Sequence, residues 1–365
     1  MQATAHDITF AGFRTAVPAQ RHSYAREPGM FTQAEADKLV ESTGIYERRV
    51  LPPHLCASDM CTAAAIDLLK SLDWDPASVE VLIFVSQDSD YNLPATACLI
   101  QNRLGLPTSC AALDINLGCS GFVYACWIAS QMLTGASGTR ALVLCGDTST
   151  RHLMPEDRST RPLFGDAGAA VALEKRPGAG PMHVVMGTDG RGAPNIVVRA
   201  GGRRNPLIPR AERFTDEEHT TLYRDARLSL NGPEVFTFSL RAVPPLVRNT
   251  LAHAGVTEDK VDYYVLHQAN KLMLEQIRRK IGVDAERFIV DLYNFGNTSS
   301  ASIPLAICSS MGERLSQGSA KVLLAGFGVG WSWASMLLDI GPIPAPAVIE
   351  IADDFEPLSL TFKRP

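Results

Sequence analysis

Short, continuously apolar runs alternate with longer mixed stretches along the first half of the chain. The runs at 81–85 (VLIFV), 111–115 (AALDI) and 141–145 (ALVLC) have the length and aliphatic content that predict buried strands. A stretch at about 119–134 lies between the last two and predicts a helix. Strands that are apolar on both faces are typical of parallel-rich sheets covered on both sides.

The same order of elements occurs in the second half. The runs at 262–266, 288–292 and 322–326 predict strands, and the stretch at about 299–315 predicts a helix between the last two. Two such units packed together predict a layered α/β protein with two similar halves. The charge-free run 322–338 is shorter than the roughly 20 residues of a membrane span and contains three glycines, so it predicts strand–turn–strand and no membrane span.

The pattern divides the chain into three segments. Residues 1–186 form the first half and residues 234–365 form the second. The connecting segment 187–233 is polar and rich in Gly, Pro and Arg, and it is longer than a usual connection, so it predicts an ordered cap with functional loops. The tail 341–365 is expected to be an appendage that pairs at a sheet edge.

Composition indicates an ordinary globular protein. Of 365 residues, 46% are hydrophobic and 20% are charged, and a net charge of −5 gives no reason to expect a nucleic-acid partner. None of the eight cysteines belongs to a zinc-type C-x-x-C arrangement, so no metal site is expected and the thiols are expected to be reduced. The N-terminus lacks the pattern of a signal peptide, which favours a cytoplasmic protein.

Reactive groups follow several of the predicted strands. They are Cys119, His267, Asn297 and the loop GFGVG at 326–330. Ligands of open α/β sheets gather at the carboxyl ends of the strands, so we expect these groups to share a site. Cys119 stands where a strand gives way to a helix, and a helix N-terminus lowers the pKa of a thiol and offers free N–H groups to an oxyanion.

Each of these features has an ordinary structural explanation when it is taken alone. Cys119 is then a buried thiol, His267 is a hydrogen-bonded core or loop residue, and Asn297 or Thr298 caps the next helix. GFGVG does not match the G-x-G-x-x-G phosphate loop. Together they favour a site, because two neutral donors, His267 and Asn297, suit the thioester carbonyl of a carboxylated substrate that loses CO₂.

The combination resembles a known family. The stretches DINLGCSGFVYA, LHQANKLM, NFGNTSSASIP and GFGVGWSWAS resemble β-ketoacyl-acyl-carrier-protein synthase III, a thiolase-like condensing enzyme, and so do LPATACLIQNRLG, LFGDAGAA and LNGPEVFTF. The resemblance covers about residues 8–340. It implies an α/β, five-layered αβαβα thiolase-like fold, a homodimer, an acyl carrier protein as partner and an acyltransferase activity with no bound cofactor.

The resemblance also implies a role for each reactive group. Cys119 corresponds to the nucleophile that is acylated from an acyl-CoA or acyl-carrier thioester, and His267 and Asn297 correspond to the pair that positions a malonyl-CoA or malonyl-carrier thioester for decarboxylation. The 327–329 loop supplies Phe327 beside that site, Gly328, and a Val329 N–H that forms the oxyanion hole with that of Cys119. The implied course is ping-pong, ending in a β-ketoacyl thioester.

The chain departs from the family pattern at substrate-contacting positions. Lys38 and Ser42 stand where the family has a tryptophan and an arginine that hold adenine, which weakens the inference of a free coenzyme A donor. Leu93 stands where the family often has a phenylalanine that reaches the partner subunit's acyl pocket, so a longer or branched chain is expected. Leu272 stands at a family arginine, next to Lys271.

A basic cluster, Arg278, Arg279 and Lys280, predicts with Lys271 either a carrier-docking surface or a solvated helix face. These departures, with the long segment 191–228, favour a specialised pathway over fatty-acid initiation.

Three other functions stay open on the sequence. The first is transfer of the Cys119 acyl group to an alcohol, an amine or a preformed β-keto nucleophile. The second is a serine hydrolase that uses Ser120, although GCSGF does not fit G-x-S-x-G. The third is a non-catalytic subunit of a heterodimer, against which the intact Cys, His and Asn argue.

Overall fold

The computed structural model describes residues 1–24, 29–206 and 216–358. Within these residues the chain forms sixteen strands and nine α-helices, joined by turns and short 3₁₀ helices. The strands are β1 (Gln2–Ala5), β2 (Ile8–Pro18), β3 (Arg21–His22), β4 (Arg48–Arg49), β5 (Val81–Val85), β6 (Ala111–Ile115), β7 (Arg140–Asp147), β8 (Ala167–Lys175), β9 (Met182–Thr188), β10 (Ile196–Val197), β11 (Ser229–Leu230), β12 (Tyr263–Leu266), β13 (Phe288–Ile289), β14 (Ala320–Gly328), β15 (Ser332–Ile340) and β16 (Ala347–Ile351).

Most of the α-helices pack on the faces of the two main sheets. They are α1 (Gln33–Thr43), α2 (Ala57–Leu72), α3 (Thr96–Arg103), α4 (Gly121–Gly135), α5 (Asp216–Asp225), α6 (Gly232–Ala254), α7 (Lys271–Ile281), α8 (Ser302–Ser310) and α9 (Gly312–Gln317).

Each main sheet has six strands, and three neighbouring strands at one edge of each are parallel. The first runs β16-β2-β8-β7-β5-β6, and the second runs β1-β9-β15-β14-β12-β13. In the first, β5 pairs in parallel with β6 and β7; in the second, β12 pairs in parallel with β13 and β14. The repeated order of elements read from the two halves is therefore confirmed in the strand pairing.

Alternate residues of the central strands face different layers. On β5, Ile83 joins the apolar core shared by the two sheets, whereas Leu82 and Phe84 face an outer core. That shared core contains Phe122 of α4 and Ile303 of α8, so these two helices lie between the sheets. Helices α2 and α3 cover the outer face of the first sheet, and α6 and α7 cover that of the second. The layers are αβαβα, as the resemblance implied.

Two elements of the second half differ from those predicted from the sequence. The strand expected at 288–292 is only Phe288–Ile289 long. The helix expected at about 299–315 is a 3₁₀ turn followed by α8, which ends at Ser310, and α9, which begins at Gly312. The charge-free run 322–338 forms the antiparallel pair β14–β15, which confirms strand–turn–strand. No helix of the described ranges is both long and apolar enough to cross a bilayer.

The tail and the cap both pack on the body. In the tail, β16 pairs in parallel with β2 at the edge of the first sheet, as expected, and Glu350 forms an ion pair with the buried Arg49 at 2.9 Å. In the connecting segment 187–233, β10 pairs with β11. Part of the segment, 207–215, and the last seven residues of the tail lie outside the described residues. The three-segment division remains a prediction.

Candidate active site

Cys119 lies in a tight turn between β6 and the first residue of α4. Its side chain is 8% exposed. The turn packs closely on β5, since a Cβ added to Gly121 would lie 2.5 Å from Val85 Cγ1. Only glycine fits there, so the sequence around Cys119 fixes the approach of the helix start to the strand.

The pKa of Cys119 is shifted in the direction opposite to the one expected from the sequence. Burial raises the pKa of the thiol to about 12, and the Asp147 carboxylate acts in the same direction. Hydrogen bonds from the Ser299 hydroxyl and from the backbone of Cys119 and Val329 lower it, but they do not outweigh burial. The prediction of a lowered thiol pKa is therefore wrong, and Cys119 is a protonated thiol at neutral pH.

The loop that follows β14 lies directly against this thiol. A Cβ added to Gly328 would stand 3.0 Å from both Cβ and Sγ of Cys119, so glycine is the residue that fits. The Val329 N–H bonds toward the sulfur, and the Val329 carbonyl accepts a hydrogen bond from Ser332 Oγ at 2.7 Å. Ser332 Oγ also lies 2.6 Å from Ser120 Oγ, which ties the loop to the residue after Cys119.

His267 follows the end of β12 and is buried. Its Nδ1 lies 2.7 Å from Ser302 Oγ, so Nε2 is the nitrogen available to a ligand. Burial lowers the pKa of His267 to about 4, which keeps the ring neutral at physiological pH. The ring of Phe327 packs edge-on against it, with centroids 5.6 Å apart at 84°.

Asn297 is held in place by hydrogen bonds of both its backbone N–H and its backbone carbonyl. Its backbone bridges the Phe164 strand segment, with N–H donating to Leu163 O at 2.8 Å and its carbonyl accepting from Gly165 N at 3.0 Å. Its Oδ1 accepts the N–H of Ser299 at 2.9 Å, whereas the N-cap position of the next turn is Thr298, which makes no side-chain capping bond. This hydrogen bond uses only the side-chain oxygen of Asn297, which leaves its Nδ2 as a donor for the cavity.

One cavity of about 730 Å³ brings the three side chains together. Its lining also includes Phe327, Gly328 and Val329, and residues of the cap such as Ile196 and Leu230. The sequence-predicted group of reactive residues is therefore assembled in one place. A thiol, a neutral imidazole, a primary amide and backbone N–H groups around one void suit acyl transfer between thioesters.

Other predicted site residues lie elsewhere. Leu93 is 80% exposed and does not line the cavity of its own chain. Lys38 and Ser42 are exposed on α1, and Leu272 is exposed on α7.

Of the basic residues on α7, three are exposed: Lys271, Arg279 and Lys280. Arg278 is not a free surface cation, because it pairs with Glu275 at 2.9 Å and donates to Val283 O at 2.7 Å. This side chain holds the end of its own helix, so its inclusion in a docking surface is corrected.

The sequence reasoning missed two acidic groups beside the cavity. Asp147 ends β7 and is fully buried, and burial together with Asp88 raises its pKa to about 6. Asp88 follows β5 and pairs with His152 at 2.5 Å. Asp88 and Asp147 lie three and two residues past the ends of the predicted strands 81–85 and 141–145, so the strand-end rule that found His267 also applied to them.

The layers and the cavity define a thiolase-like fold that carries a buried Cys–His–Asn site. Two sequence models of the 3-oxoacyl-[acyl-carrier-protein] synthase III family match the chain: residues 113–190 match the model of that name, and residues 251–340 match its C-terminal model.

Named relatives extend the likeness over most of the chain. A β-ketoacyl-[acyl-carrier-protein] synthase III from Caldanaerobacter subterraneus is 31% identical over 85% of this chain and 93% of its own length. One from Streptococcus uberis is 33% identical over 83% and 91%.

Solved structures of the same class are similar to this chain over nearly its whole length. A 3-oxoacyl-(acyl-carrier protein) synthase from Burkholderia xenovorans is 38% identical, with a TM-score of 0.89 over 96% of this chain and 99% of that one. The priming β-ketosynthase of the R1128 polyketide pathway is 25% identical, with a TM-score of 0.78 over 94% and 98%. The chain belongs to the 3-oxoacyl-[acyl-carrier-protein] synthase III family and is a condensing enzyme of the acyltransferase type.

Proposed function

We propose that the protein joins an acyl group to a malonyl-type thioester in two half-reactions at Cys119. The observation that carries the proposal is the single cavity in which Cys119, His267 and Asn297 meet the Val329 loop. Ping-pong transfer needs a nucleophile, a donor pair for the second substrate and an oxyanion hole, and these groups supply all three.

In the first half-reaction the Cys119 sulfur attacks the carbonyl of an acyl thioester. Because the resting thiol is protonated, its proton must leave as the S–C bond forms. The leaving thiolate of the donor takes up this proton, and the neutral His267 keeps the Nε2 hydrogen that it uses in the second half-reaction. The N–H groups of Cys119 and Val329 stabilise the oxyanion.

In the second half-reaction a malonyl-type thioester replaces the leaving thiol. His267 Nε2 and Asn297 Nδ2 donate to its thioester carbonyl, and the C–C bond to the carboxylate breaks, with release of CO₂. The enolate carbon then attacks the acyl-cysteine, and Cys119 leaves with the electrons of the S–C bond and takes up a proton from water, which restores the thiol. Burial of His267 supports this role, since a neutral ring donates without a charge that would hold the carboxylate in place.

Exposed residues indicate where the two proposed partners would bind. An acidic carrier protein would dock on Lys271, Arg279 and Lys280, whose charges lie on the outer face of α7. Leu93 would project into a second copy of the chain, which makes the active enzyme a homodimer. Arg279→Glu should slow the reaction with an acyl-carrier donor in a salt-dependent way, while Lys260→Glu, a reversal at an exposed lysine outside α7, should not.

The proposed reaction is tested by CO₂ release. The protein is supplied with an acyl thioester and a malonyl thioester, and CO₂ and ketoacyl product are measured together. Cys119→Ala should abolish product, and Ser120→Ala should retain it. Acyl transfer without CO₂ release would replace the proposal with acyl transfer to another nucleophile, and loss of activity in Ser120→Ala alone would favour a hydrolase.

A further inference from the structure

One wall of the active-site cavity is polar. It is formed by residues that follow two neighbouring strands of the first sheet: Gln87, Asp88 and Ser89 after β5, and Ser149 and His152 after β7. Another part of the lining is largely aliphatic, with Ile196, Val197, Val198, Leu228, Leu230 and Val235.

Within the polar wall Asp88 fixes the ring of His152. Asp88 Oδ1 lies 2.5 Å from His152 Nε2. The other carboxylate oxygen, Oδ2, accepts the Thr148 N–H at 2.7 Å and the Thr148 hydroxyl at 3.1 Å. Both oxygens of Asp88 are therefore engaged, and the ring is held by one nitrogen. Its Nδ1 has no hydrogen-bond partner among the described residues, and the side chain is 38% exposed to the cavity and its mouth.

The pair is connected to the nucleophile through Gln87. A Cβ added to Gly118, the residue before Cys119, would lie 2.5 Å from Gln87 Oε1, so the Gln87 side chain rests on the nucleophile turn. The buried Asp147 accepts the Gln87 N–H at 2.9 Å and keeps this strand end in place. Asp88 is the next residue along the same loop, so the polar wall begins beside the thiol and continues to His152.

A plain hydrocarbon chain fits this wall poorly. It would displace water from Gln87, Ser149 and His152 without replacing the lost hydrogen bonds. A hydroxyl group pairs with His152 Nδ1 in either protonation state, since it accepts from the protonated ring and donates to the neutral one.

Acyl groups that carry a charge fit this wall less well than one with a hydroxyl group. The charged groups that face His152 are Asp88, Asp147 and Arg227. A carboxylate on the substrate would be attracted by Arg227 but repelled by both Asp88 and Asp147, and an ammonium group would find both oxygens of Asp88 already engaged.

We propose that the acyl group accepted by Cys119 carries a hydroxyl group, which His152 Nδ1, positioned by Asp88, recognises in the cavity. This inference rests on the proposed function, because it names the acyl substrate of the same site. It makes His152 a specificity-determining residue and Asp88 its positioning residue.

The test measures how fast wild-type protein is acylated by matched donors. Hexanoyl-pantetheine and its positional hydroxyhexanoyl isomers are each mixed with the protein, and the rate of mass gain on Cys119 is read by intact-protein mass spectrometry. We expect at least one hydroxyhexanoyl isomer to react about tenfold faster than hexanoyl. The effect is smaller than in a sealed pocket because His152 is partly exposed to water.

Variants separate recognition from folding. His152→Phe, which keeps a planar ring, should reduce the ratio of hydroxyhexanoyl to hexanoyl rates toward one, and Asp88→Asn should reduce it partly. The matched control is His6→Phe, at an exposed histidine, which should leave the ratio as in the wild type.

The outcomes are distinguishable. A wild-type ratio of one or less for every isomer overturns the hydroxyl proposal while acylation of Cys119 still supports the proposed function. A ratio that survives in a folded His152→Phe protein overturns the assignment to His152. Absence of any mass gain on Cys119 with all donors overturns the proposed function and this inference with it.

Discussion

The hydroxyl of Ser302 lies 2.7 Å from Nδ1 of His267 and directs the opposite ring nitrogen to the active-site cavity. The same oxygen also accepts the backbone N–H of Gln268 at 3.3 Å. Ser302 is the first residue of α8, so the central helix layer sets the orientation of the imidazole. The donor pair proposed for decarboxylation therefore depends on a residue that touches no substrate.

Removal of this hydroxyl is expected to impair the reaction without removing the imidazole. Ser302→Ala should lower kcat for condensation by roughly 10- to 100-fold, because the ring loses its fixed orientation. Ser310→Ala removes an exposed hydroxyl from the other end of the same helix and serves as the control. Equal kcat values for the two variants would show that packing alone orients His267.

The raised pKa of Cys119 predicts how the thiol reacts with pH. Since the pKa is about 12, the thiol is protonated throughout the neutral range. The rate of alkylation by iodoacetamide, after subtraction of the Cys119→Ala background, should rise roughly tenfold per pH unit from pH 7 to 9. A plateau below pH 8 would mean that the helix start outweighs burial.

Asp147 raises the pKa of Cys119, which slows its reaction, and its hydrogen bonds stabilise the fold. Its carboxylate accepts hydrogen bonds from Gln87 N at 2.9 Å and from Ser300 N and Oγ at 3.1 and 2.6 Å. Asp147→Asn should speed alkylation of Cys119 at pH 8, because a negative charge is removed.

The same variant should unfold more easily, by about 1–3 kcal/mol, because an amide NH₂ then faces N–H donors. The carboxyl of Asp147 has a pKa of about 6, so the gain in alkylation rate should shrink as pH falls below 6. Denaturant unfolding and alkylation rates check the two effects. Faster alkylation without a loss of stability would contradict the buried network.

Space beside the thiol is expected to limit activity. Gly328→Ala would place a methyl group 3.0 Å from Cys119 Sγ, so acylation should fall at least tenfold and stability by about 1–3 kcal/mol. Gly190→Ala is the control, because an added Cβ there meets nothing within 4 Å. Acylation rates that match in the two variants would show that the loop moves away at little cost.

The strands and the reactive residues were predictable because each rests on a local pattern. Strands buried on both faces have continuous apolar runs, and Cys119, His267 and Asn297 stand in distinctive stretches at their ends. The sign of the Cys119 pKa was not predictable, because burial and the neighbouring Asp147 depend on tertiary packing. Asp88 follows a predicted strand and could have been found by that rule, but its pairing with His152 could not, because the partners are 64 residues apart and no motif links them.

The central claim, that Cys119 carries the acyl group that condenses with a decarboxylated malonyl unit, is tested most directly by single-turnover mass spectrometry. The protein is loaded with an acyl thioester, excess donor is removed, and malonyl thioester is added. We predict an acyl mass gain that is lost in Cys119→Ala and kept in Cys98→Ala, a variant of an exposed thiol. Malonyl addition should return the protein to its starting mass with one CO₂ per ketoacyl product. An acyl-enzyme that discharges without CO₂ release, or condensation that persists in Cys119→Ala, would contradict the account.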